Sequence, residues 1–505
     1  MLQIINRIAK TFFGSNQKNI EKMMLQPLDS QQQWFDYLIK TAVNTEWGKK
    51  YDYKSVKQYD TFNQRVPVSD YNALYPYIER MIMGEKDVLW RGITTWFSKS
   101  SGTSGSKSKF IPMSMESLYK CNYKGGKDSV TMYLNNRPDS KLFTGKYFSL
   151  SGSWRNFDMN SKAYCGDVSA ILLHFLPQWA NFFKTPPKDI ALLSDWNEKV
   201  EKYAQHTRNQ NVVALAGVPS WILMIIRRVL ELEKVENLSN IWQNLELFMH
   251  GGVNFTPYIN QYKSLIPSEK MYYQQVYNAS EGYFAAQDRS NANDMLLFVD
   301  NGVFYEFIPL REFNTDNQSV MSLEQVKTGV NYVMLISTNA GLWRYVVGDV
   351  VQFTSCNPYR MIVTGRTTHF INAFGEELMV DNAENALNLA CQQTNAIISE
   401  YTAAPIYLES HTKAAHEWLI EFKQQPTDIE LFTNILDKEL MKLNSDYEAK
   451  RSNNILLQRP VVQAIPQGTF VKWLSTREKL GGQFKVTRLS NDRKIIEEIK
   501  LVVGT

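Results

Sequence analysis

The sequence predicts an α/β fold in two parts, a large N-terminal domain over residues 1–366 and a small α+β C-terminal domain over residues 367–505. Three observations predict it. Strand-like and helix-like segments alternate from about residue 93 to residue 282, the pattern of a partly parallel sheet covered by helices. From about 295 to 365 the chain changes to short, closely spaced strands, a β-rich subdomain of the same domain. The stretch after Arg366, about 139 residues, mixes helices and strands and has the size of one small domain.

Residues 1 to about 90 carry apolar positions at helical spacing with few Gly or Pro, which predicts mostly helix. The opening run Met1-Leu2-Gln3-Ile4-Ile5-Asn6-Arg7-Ile8 lacks the unbroken apolar core and cleavage site of a signal peptide. It predicts a helix packed on the body, with a membrane-surface helix as the other option. Val66 to Asp70 marks a helix entry, with a helix reaching Met81. Ile93-Thr94-Thr95-Trp96-Phe97 is β-branched and aromatic and predicts a strand, and Met113 to Tyr133 predicts a helix. Between them, Ser98 to Lys109 reads S-K-S-S-G-T-S-G-S-K-S-K, with three lysines and no acid. Such a segment is a flexible linker or, with its glycines, hydroxyls and lysines, a cradle for phosphates. It is not G-x-x-x-x-G-K-[ST], so any phosphate site here belongs to a different fold from the common nucleotide loop.

Further strands are predicted at Gly145 to Leu150, ending in Ser151-Gly152-Ser153, and at Asn211 to Leu215, closed by Gly217-Val218-Pro219-Ser220. A helix follows from Trp221 to Leu232. Leu245 to His250 ends at Gly251-Gly252, and Met271 to Val276 runs into Tyr277-Asn278-Ala279-Ser280-Glu281-Gly282. Polar and glycine-rich residues therefore gather at carboxyl ends of strands, where such sheets bind ligands. The short strands are Met295 to Val299, Val303 to Ile308, Tyr332 to Ser337, Val350 to Thr354 and Arg360 to Thr364. The last part has helices around Val380 to Ala390 and Asp428 to Leu443, and a strand from Glu417 to Phe422.

A chain of 505 residues exceeds one simple core, and 44% hydrophobic with 21% charged residues is ordinary for a soluble globular protein. A net charge of +4, with no basic run interleaved with aromatics, argues against nucleic acid as a partner. No stretch reaches the roughly 18 apolar residues of a membrane span. Cys121, Cys165, Cys356 and Cys391 lie far apart without a C-x-x-C pair, which argues against a disulfide scaffold or zinc ribbon and for a cytoplasmic location. His411 and His416 lack the H-E-x-x-H pattern of a zinc protease.

Three more clusters could carry chemistry. Tyr277 to Glu281 sets an aromatic, a hydroxyl and a carboxylate at a strand end, suited to a base, a phosphate and a divalent cation; a turn with one solvated acid is the plain alternative. Gly348-Asp349 follows the apolar run Trp343 to Val347, so Asp349 could accept both hydrogens of a ribose diol or merely mark a hairpin turn. Arg366, in Thr364-Gly365-Arg366-Thr367-Thr368-His369, stands at the domain boundary, where an arginine is usually solvated.

In order and rough spacing, Ser100-Ser101-Gly102-Thr103-Ser104 through Lys109, Tyr277 to Glu281, Gly348-Asp349 and Gly365-Arg366 resemble the acyl-adenylate-forming superfamily. More closely, the chain resembles the Gretchen Hagen family of acyl acid amido synthetases, the auxin-responsive promoter proteins, in a form like its bacterial members. Segments that carry this likeness include Val66 to Tyr71, Pro76 to Met81, Ala216 to Trp221, His250 to Phe255, Tyr305 to Pro309 and Gly482 to Arg488.

The resemblance implies an adenylate-forming N-terminal domain, a mobile C-terminal domain and a two-step reaction. ATP and a carboxylic acid give an acyl-adenylate and pyrophosphate; an amino acid amine then takes the acyl group and AMP leaves. Ser100, Ser101, Gly102, Thr103, Ser104 and Lys109 would hold the phosphates, Ser280 would stand beside the α-phosphate, and Glu281 would hold Mg²⁺. Tyr277 would lie near adenine, Asp349 would grip the ribose, Arg366 would assist, and Lys485 would reach the adenylate oxygens. Trp221, Phe255 and Leu150 to Trp154 are the acyl-pocket candidates, for which ordinary core is the alternative. Ser106, Thr367 and Thr368 depart from the family pattern, and Lys479 competes with Lys485. Two other functions compete: an acyl-CoA ligase with the same first step, and a nucleotide-binding protein without turnover.

Overall fold

The computed structural model describes residues 2–100, 109–157, 160–193, 195–252, 255, 258–367, 370–371, 376, 378–406, 414–444, 447–448, 451, 457–476, 486–490 and 493–504. They cluster into two compact units: the described residues up to 347 together with 352–362, and residues 348–351 together with those from 363 onward.

The first unit opens with helices α1 (Leu2–Leu25), α2 (Pro27–Ala42), α3 (Glu46–Lys50), α4 (Tyr59–Arg65) and α5 (Tyr71–Ile82), as the spacing predicts. The Asp70 side chain accepts the Ala73 N–H at 2.8 Å and starts α5. Leu74, Ile78, Met81 and Ile82, about one turn apart, form its buried face.

Strands β1 (Trp96–Ser100) and β2 (Lys109–Met113) pair antiparallel, with Ser100 opposite Lys109. This corrects two expectations. The strand predicted at 93–97 starts at Trp96 and runs into the Ser/Gly/Lys stretch, because the ladder continues past Phe97 and Ser98 is fully buried. A second strand also intervenes before the helix. Its Pro112 is tolerated because β2 is an edge of the sheet β2-β1-β5-β4, where a missing donor leaves no gap. The helical stretch follows as α6 (Met115–Ser117), a π-helical turn over Leu118–Tyr123, and α7 (Lys124–Asn136).

Next come β3 (Lys146–Ser149), β4 (Trp154–Phe157), β5 (Asn160–Gly166), α8 (Val168–His174), α9 (Gln178–Asn181), β6 (Lys184–Thr185), α10 (Lys188–Ala191) and α11 (Trp196–Thr207). The alternation continues with β7 (Val212–Gly217), α12 (Pro219–Glu233), β8 (Leu247–His250), α13 (Ile259–Leu265) and β9 (Tyr272–Ala279). β6, β3, β7, β8 and β9 are parallel neighbours. Alternate residues of the buried strands face opposite layers: Phe248 packs with Ile222, Ile226 and Tyr262 of the helices, and Leu247 with Tyr133, Leu142 and Phe143. Each such side chain contributes about 1.5–3 kcal/mol by leaving water.

The short strands β10 (Gly282–Ala286), β11 (Met295–Leu297), β12 (Val303–Pro309), β13 (Met321–Ser322), β14 (Asn331–Thr338), β15 (Tyr345–Cys356) and β16 (Tyr359–Arg366) extend the same sheet. Its order is β13-β12-β14-β15-β16-β11-β10-β9-β8-β7-β3-β6. Gly348 and Asp349 lie inside β15, not at a strand end. Gly348 has φ +88°, which only glycine adopts readily, so the strand kinks there without stopping.

The second unit contains β17 (Phe370–Ile371), β18 (Leu378–Met379), α14 (Val380–Thr394), β19 (Ile397–Ile406), β20 (Ala415–Gln424), α15 (Ile429–Leu443) and β21 (Val461–Ile465). The sheet β19-β20-β21 buries Tyr401, Trp418 and Ile420 against Ala386 and Leu387 of α14 and Phe432 and Leu436 of α15. Helices Thr469–Thr476 and Lys494–Val503 pack Phe470, Trp473, Ile495 and Ile496 on Leu419.

Candidate active site

The parallel strands β3, β7 and β8 end nearly level, and β9 runs on from Gln275, the partner of His250, to Ala279; their carboxyl ends carry Ser149 to Gly152, Gly217, His250 to Gly252 and Ala279 to Glu281. Ser280 and Glu281 form the tight turn between β9 and β10, where Ala279 pairs with Gly282. The Ser280 hydroxyl donates to the Lys99 carbonyl at 3.4 Å. Lys99 is the last residue but one of β1, and the stretch 101–108 follows. The turn and the root of the predicted phosphate loop are therefore in contact.

The turn is held from behind. The Tyr283 N–H donates to the buried Cys121 sulfur at 3.3 Å, and Tyr283 Oη and Ser129 Oγ share a 2.8 Å hydrogen bond. A Cβ on Gly125 would meet the Tyr283 ring at 2.6 Å, so α7 approaches β10 only because that position is glycine. Tyr277 is 8% exposed in β9, its ring edge-on to Phe284 at 5.0 Å. Glu281 is half-buried. Among the described residues no three His, Cys, Asp or Glu side chains gather as metal ligands. One carboxylate at a turn, that of Glu281, fits Mg²⁺, which takes one or two carboxylates and completes its shell with phosphate oxygens and water.

Lys109 opens β2, with its ammonium 5.8 Å from the Tyr71 ring centre, and the Phe110 N–H donates to Tyr71 Oη at 2.8 Å. Burial pushes the Tyr71 phenol up to about 12, so it stays neutral. In the second unit, Arg366 Nε lies 2.8 Å from Asp349 Oδ1, and the Thr367 N–H donates to the Gly348 carbonyl at 2.9 Å. The structure thus joins Ser280 to the strand before the loop, and Asp349 to Arg366. Ser100 is a strand residue of β1, while Ser101, Gly102, Thr103, Ser104, Lys479 and Lys485 lie outside the described residues.

Trp221 is partly buried in the first turn of α12. Phe255 is 8% exposed and stacks on His250 at 4.0 Å, with Phe248 and Tyr262 around it. His250 was no candidate from sequence. It is 4% exposed at the end of β8, its Nδ1 has no hydrogen-bond partner among the described residues, and burial pushes its pKa down to about 3. Lys199 of α11 was also missed, because its neighbours in sequence are those of a solvated helix face. It is 4% exposed, with its ammonium on the Ser151 carbonyl at 2.7 Å.

The chain matches three family models in order: the GH3 family N-terminal domain over residues 16–271, the central domain over 296–366 and the C-terminal domain over 381–494. It is 23% identical to the indole-3-acetic acid-amido synthetase GH3.3 of Arabidopsis thaliana, covering 90% of this chain and 88% of that protein. It is 21% identical to the 4-substituted benzoates-glutamate ligase GH3.12 of the same plant, covering 88% and 90%. The fold is similar to a GH3.15 acyl acid amido synthetase, with TM-score 0.78, 16% identity and coverage of 97% and 96%. It is also similar to a 2-hydroxyisobutyryl-CoA ligase holding 2-HIB-AMP, with TM-score 0.60, 14% identity and coverage of 96% and 92%.

Proposed function

Since the chain belongs to the GH3 family, we propose that it is an ATP-dependent acyl acid amido synthetase that forms an acyl-adenylate and passes the acyl group to an amino acid amine. The observation that carries the reading is the hydrogen bond from the Ser280 turn to Lys99, which ties the α-phosphate and metal candidates to the root of the loop.

In the first step a carboxylate oxygen of the acid attacks the α-phosphorus of ATP, the bond to the β-phosphate oxygen breaks, and pyrophosphate leaves. Ser100 to Ser104 and Lys109 donate to the phosphates as charge grows there, and Ser280 donates at the α-phosphate. Mg²⁺ on Glu281 would supply further neutralisation of the phosphates. Asp349 accepts from the ribose hydroxyls with Arg366 beside it, Tyr277 lies against the base, and Lys485 meets the adenylate oxygens. In the second step the amine nitrogen attacks the acyl carbon, the bond to the AMP oxygen breaks, and the nitrogen loses a proton. Activation has already supplied the leaving group, so positioning the amine is the main remaining task. The same proposal includes a domain 1–366 that holds ATP and acid and a domain 367–505 that moves between the steps.

Cys121, Cys165, Cys356 and Cys391 are thiols outside any disulfide, which supports a reducing, cytoplasmic setting. Relatives named for indole-3-acetic acid and 4-substituted benzoates direct the search to aryl and indolyl acids. The test is pyrophosphate–ATP exchange over such a panel, followed by amino acids or CoA with mass detection. Acid-dependent exchange and an amide are expected. Thioester without amide would make the chain a CoA ligase, and ATP binding without exchange on any acid would make it a non-catalytic binder.

A further inference from the structure

The turn after β3 is pinned atom by atom from α11 and the start of α8. Tyr203 Oη donates to the Ser149 carbonyl at 3.3 Å and receives the Ser151 N–H at 3.4 Å. The Lys199 ammonium donates to the Ser151 carbonyl at 2.7 Å and the Gly152 carbonyl at 3.4 Å. The Gly152 N–H goes to Ser169 Oγ at 3.0 Å, and the Ser153 N–H to the Asp167 carboxylate at 2.9 Å. Asp167 in turn donates its own N–H to the Ser153 carbonyl at 3.0 Å. A Cβ on Gly152 would fall 1.5 Å from Asp167 Oδ2, so the backbone is pressed onto that carboxylate as only glycine allows.

Lys199 is unusual on its helix. Lys202, nearby on α11, pairs with Glu198 at the surface, both side chains 47% exposed. Lys199 is 4% exposed, its ammonium donates to the neutral carbonyls of Ser151 and Gly152, and among the described residues no carboxylate lies within ion-pair distance of it. Burying a charge on these terms is expensive, and a fold that needed only packing there would carry an apolar residue. The turn it holds follows Ser149, the partner of Ala216, and the next residue of β7, Gly217, is the partner of His250, on which the acyl-pocket candidate Phe255 stacks.

We propose that Lys199 is a positioning residue for the acid: by fixing the Ser151 and Gly152 carbonyls it makes the turn after β3 a rigid wall of the acyl subsite. The proposal rests on the amido synthetase reading. It has a pH signature. Burial pushes Lys199 down to about 8, against the attraction of Asp167. The charged groups around it are that carboxylate, pushed up by its own burial, and Lys99 of β1, which also attracts Asp167; Glu198 and Lys202 are engaged with each other. As pH rises through about 8 the ammonium becomes an amine, a weaker donor with one hydrogen fewer, and the turn loosens.

The experiment is pyrophosphate–ATP exchange at pH 7 and pH 9, with KM measured separately for acid and ATP, on wild type, Lys199→Met and Lys199→Arg. The amine is absent and the carboxylic acid is ionised throughout, so a change confined to the acid KM does not come from titration of the acid; the terminal phosphate of ATP loses its last proton near pH 7, and its effect is read in the ATP KM. In Lys199→Met the acid KM is expected to rise about tenfold to a hundredfold, the effect of a misplaced wall, with ATP KM within about twofold. Wild-type acid KM should climb between the two pH values; it should stay flat in Lys199→Met and in Lys199→Arg, which keeps its charge. An unchanged acid KM in Lys199→Met, or acid and ATP KM rising together with a lower melting temperature, overturns the proposal. If neither variant folds, a flat wild-type profile overturns it and a rise confined to the acid KM supports it. Absence of wild-type exchange on every acid of the panel removes the amido synthetase reading, and this proposal with it.

Discussion

Two arginine–carboxylate pairs stand close along the chain and serve opposite ends. Arg344 meets Glu306 with side chains 3% and 0% exposed. Its Nε lies 3.1 Å from both carboxylate oxygens, its Nη1 donates to the Asn63 and Val66 carbonyls at 2.9 and 2.6 Å, and Tyr59 Oη adds a bond to Glu306 at 2.9 Å. Every direction is taken, so the pair ties the α4 region to β12 and has nothing left for a ligand. Arg366 and Asp349 are 39% and 14% exposed and meet through one guanidinium nitrogen at 2.8 Å. The same residue types are a structural knot in one place and an accessible charge pair in the other. What separates them is burial, not chemistry.

The sharpest way to break this contrast is to remove one buried partner. Glu306→Gln leaves the Arg344 cation without a counter-ion in the core, and stability should fall by about 3–5 kcal/mol in urea unfolding. The KM for ATP in the folded enzyme should not move. A small loss of stability, or a large change in KM, would put Arg344 and Glu306 in the functional class. Next in size is Asp349→Asn. Losing a charged acceptor for the ribose should weaken ATP by about 1.5–3 kcal/mol, roughly tenfold to a hundredfold in titration calorimetry. Its stability should fall by much less than in Glu306→Gln, because Arg366 and Asp349 are 39% and 14% exposed where Arg344 and Glu306 are 3% and 0%.

The two pairs also mark what sequence can carry. Asp349 and Arg366 sit in short motifs whose order along the chain carries the family likeness, as do Tyr277, Ser280 and Glu281. Arg344 lies five residues before Asp349, yet nothing in Trp343-Arg344-Tyr345 announces that it is buried, because its partners Glu306, Asn63 and Val66 are distant in sequence. Lys199 was hidden for the same reason: acids and bases around it on α11 read as a solvated face, and only tertiary contact turns it to Ser151. β2 has no counterpart among the strands predicted from sequence: Phe110-Ile111-Pro112 is short and contains a proline, and the edge position that tolerates that proline is a property of the sheet. By contrast the Asp70 cap, the α12 helix and the parallel strands are local patterns, and these were legible. The loop residues 101–104 and Lys485 rest on their motifs alone, since they lie outside the described residues.

A smaller effect tests whether backbone shape, and not only charge, sets Asp349. At Gly348→Ala the new Cβ would find its nearest neighbours, Thr367 Oγ1 and Arg366 Nη2, at 3.7 and 3.8 Å, so there is room. The cost comes from φ +88°, about 1–2 kcal/mol for a residue with a Cβ. If the kink aims the carboxylate, ATP KM should rise, though less than in Asp349→Asn. An unchanged KM with lower stability would make the kink a matter of folding alone.

The smallest effect belongs to the buried side. Ser69, just before α5, donates its N–H to the Arg344 carbonyl at 3.0 Å and accepts the Val346 N–H at 2.9 Å, so the start of α5 abuts the strand that carries Arg344. Asp70→Ala removes the cap from Ala73 N and should cost about 1 kcal/mol. Because Arg344 is over-determined by its other bonds, the loss should stop at the helix end and add to that of Glu306→Gln within about 0.5 kcal/mol. Strong non-additivity in the double variant would mean that cap and knot form one cooperative network. The buried pair would then owe its rigidity to α5 as much as to its own hydrogen bonds.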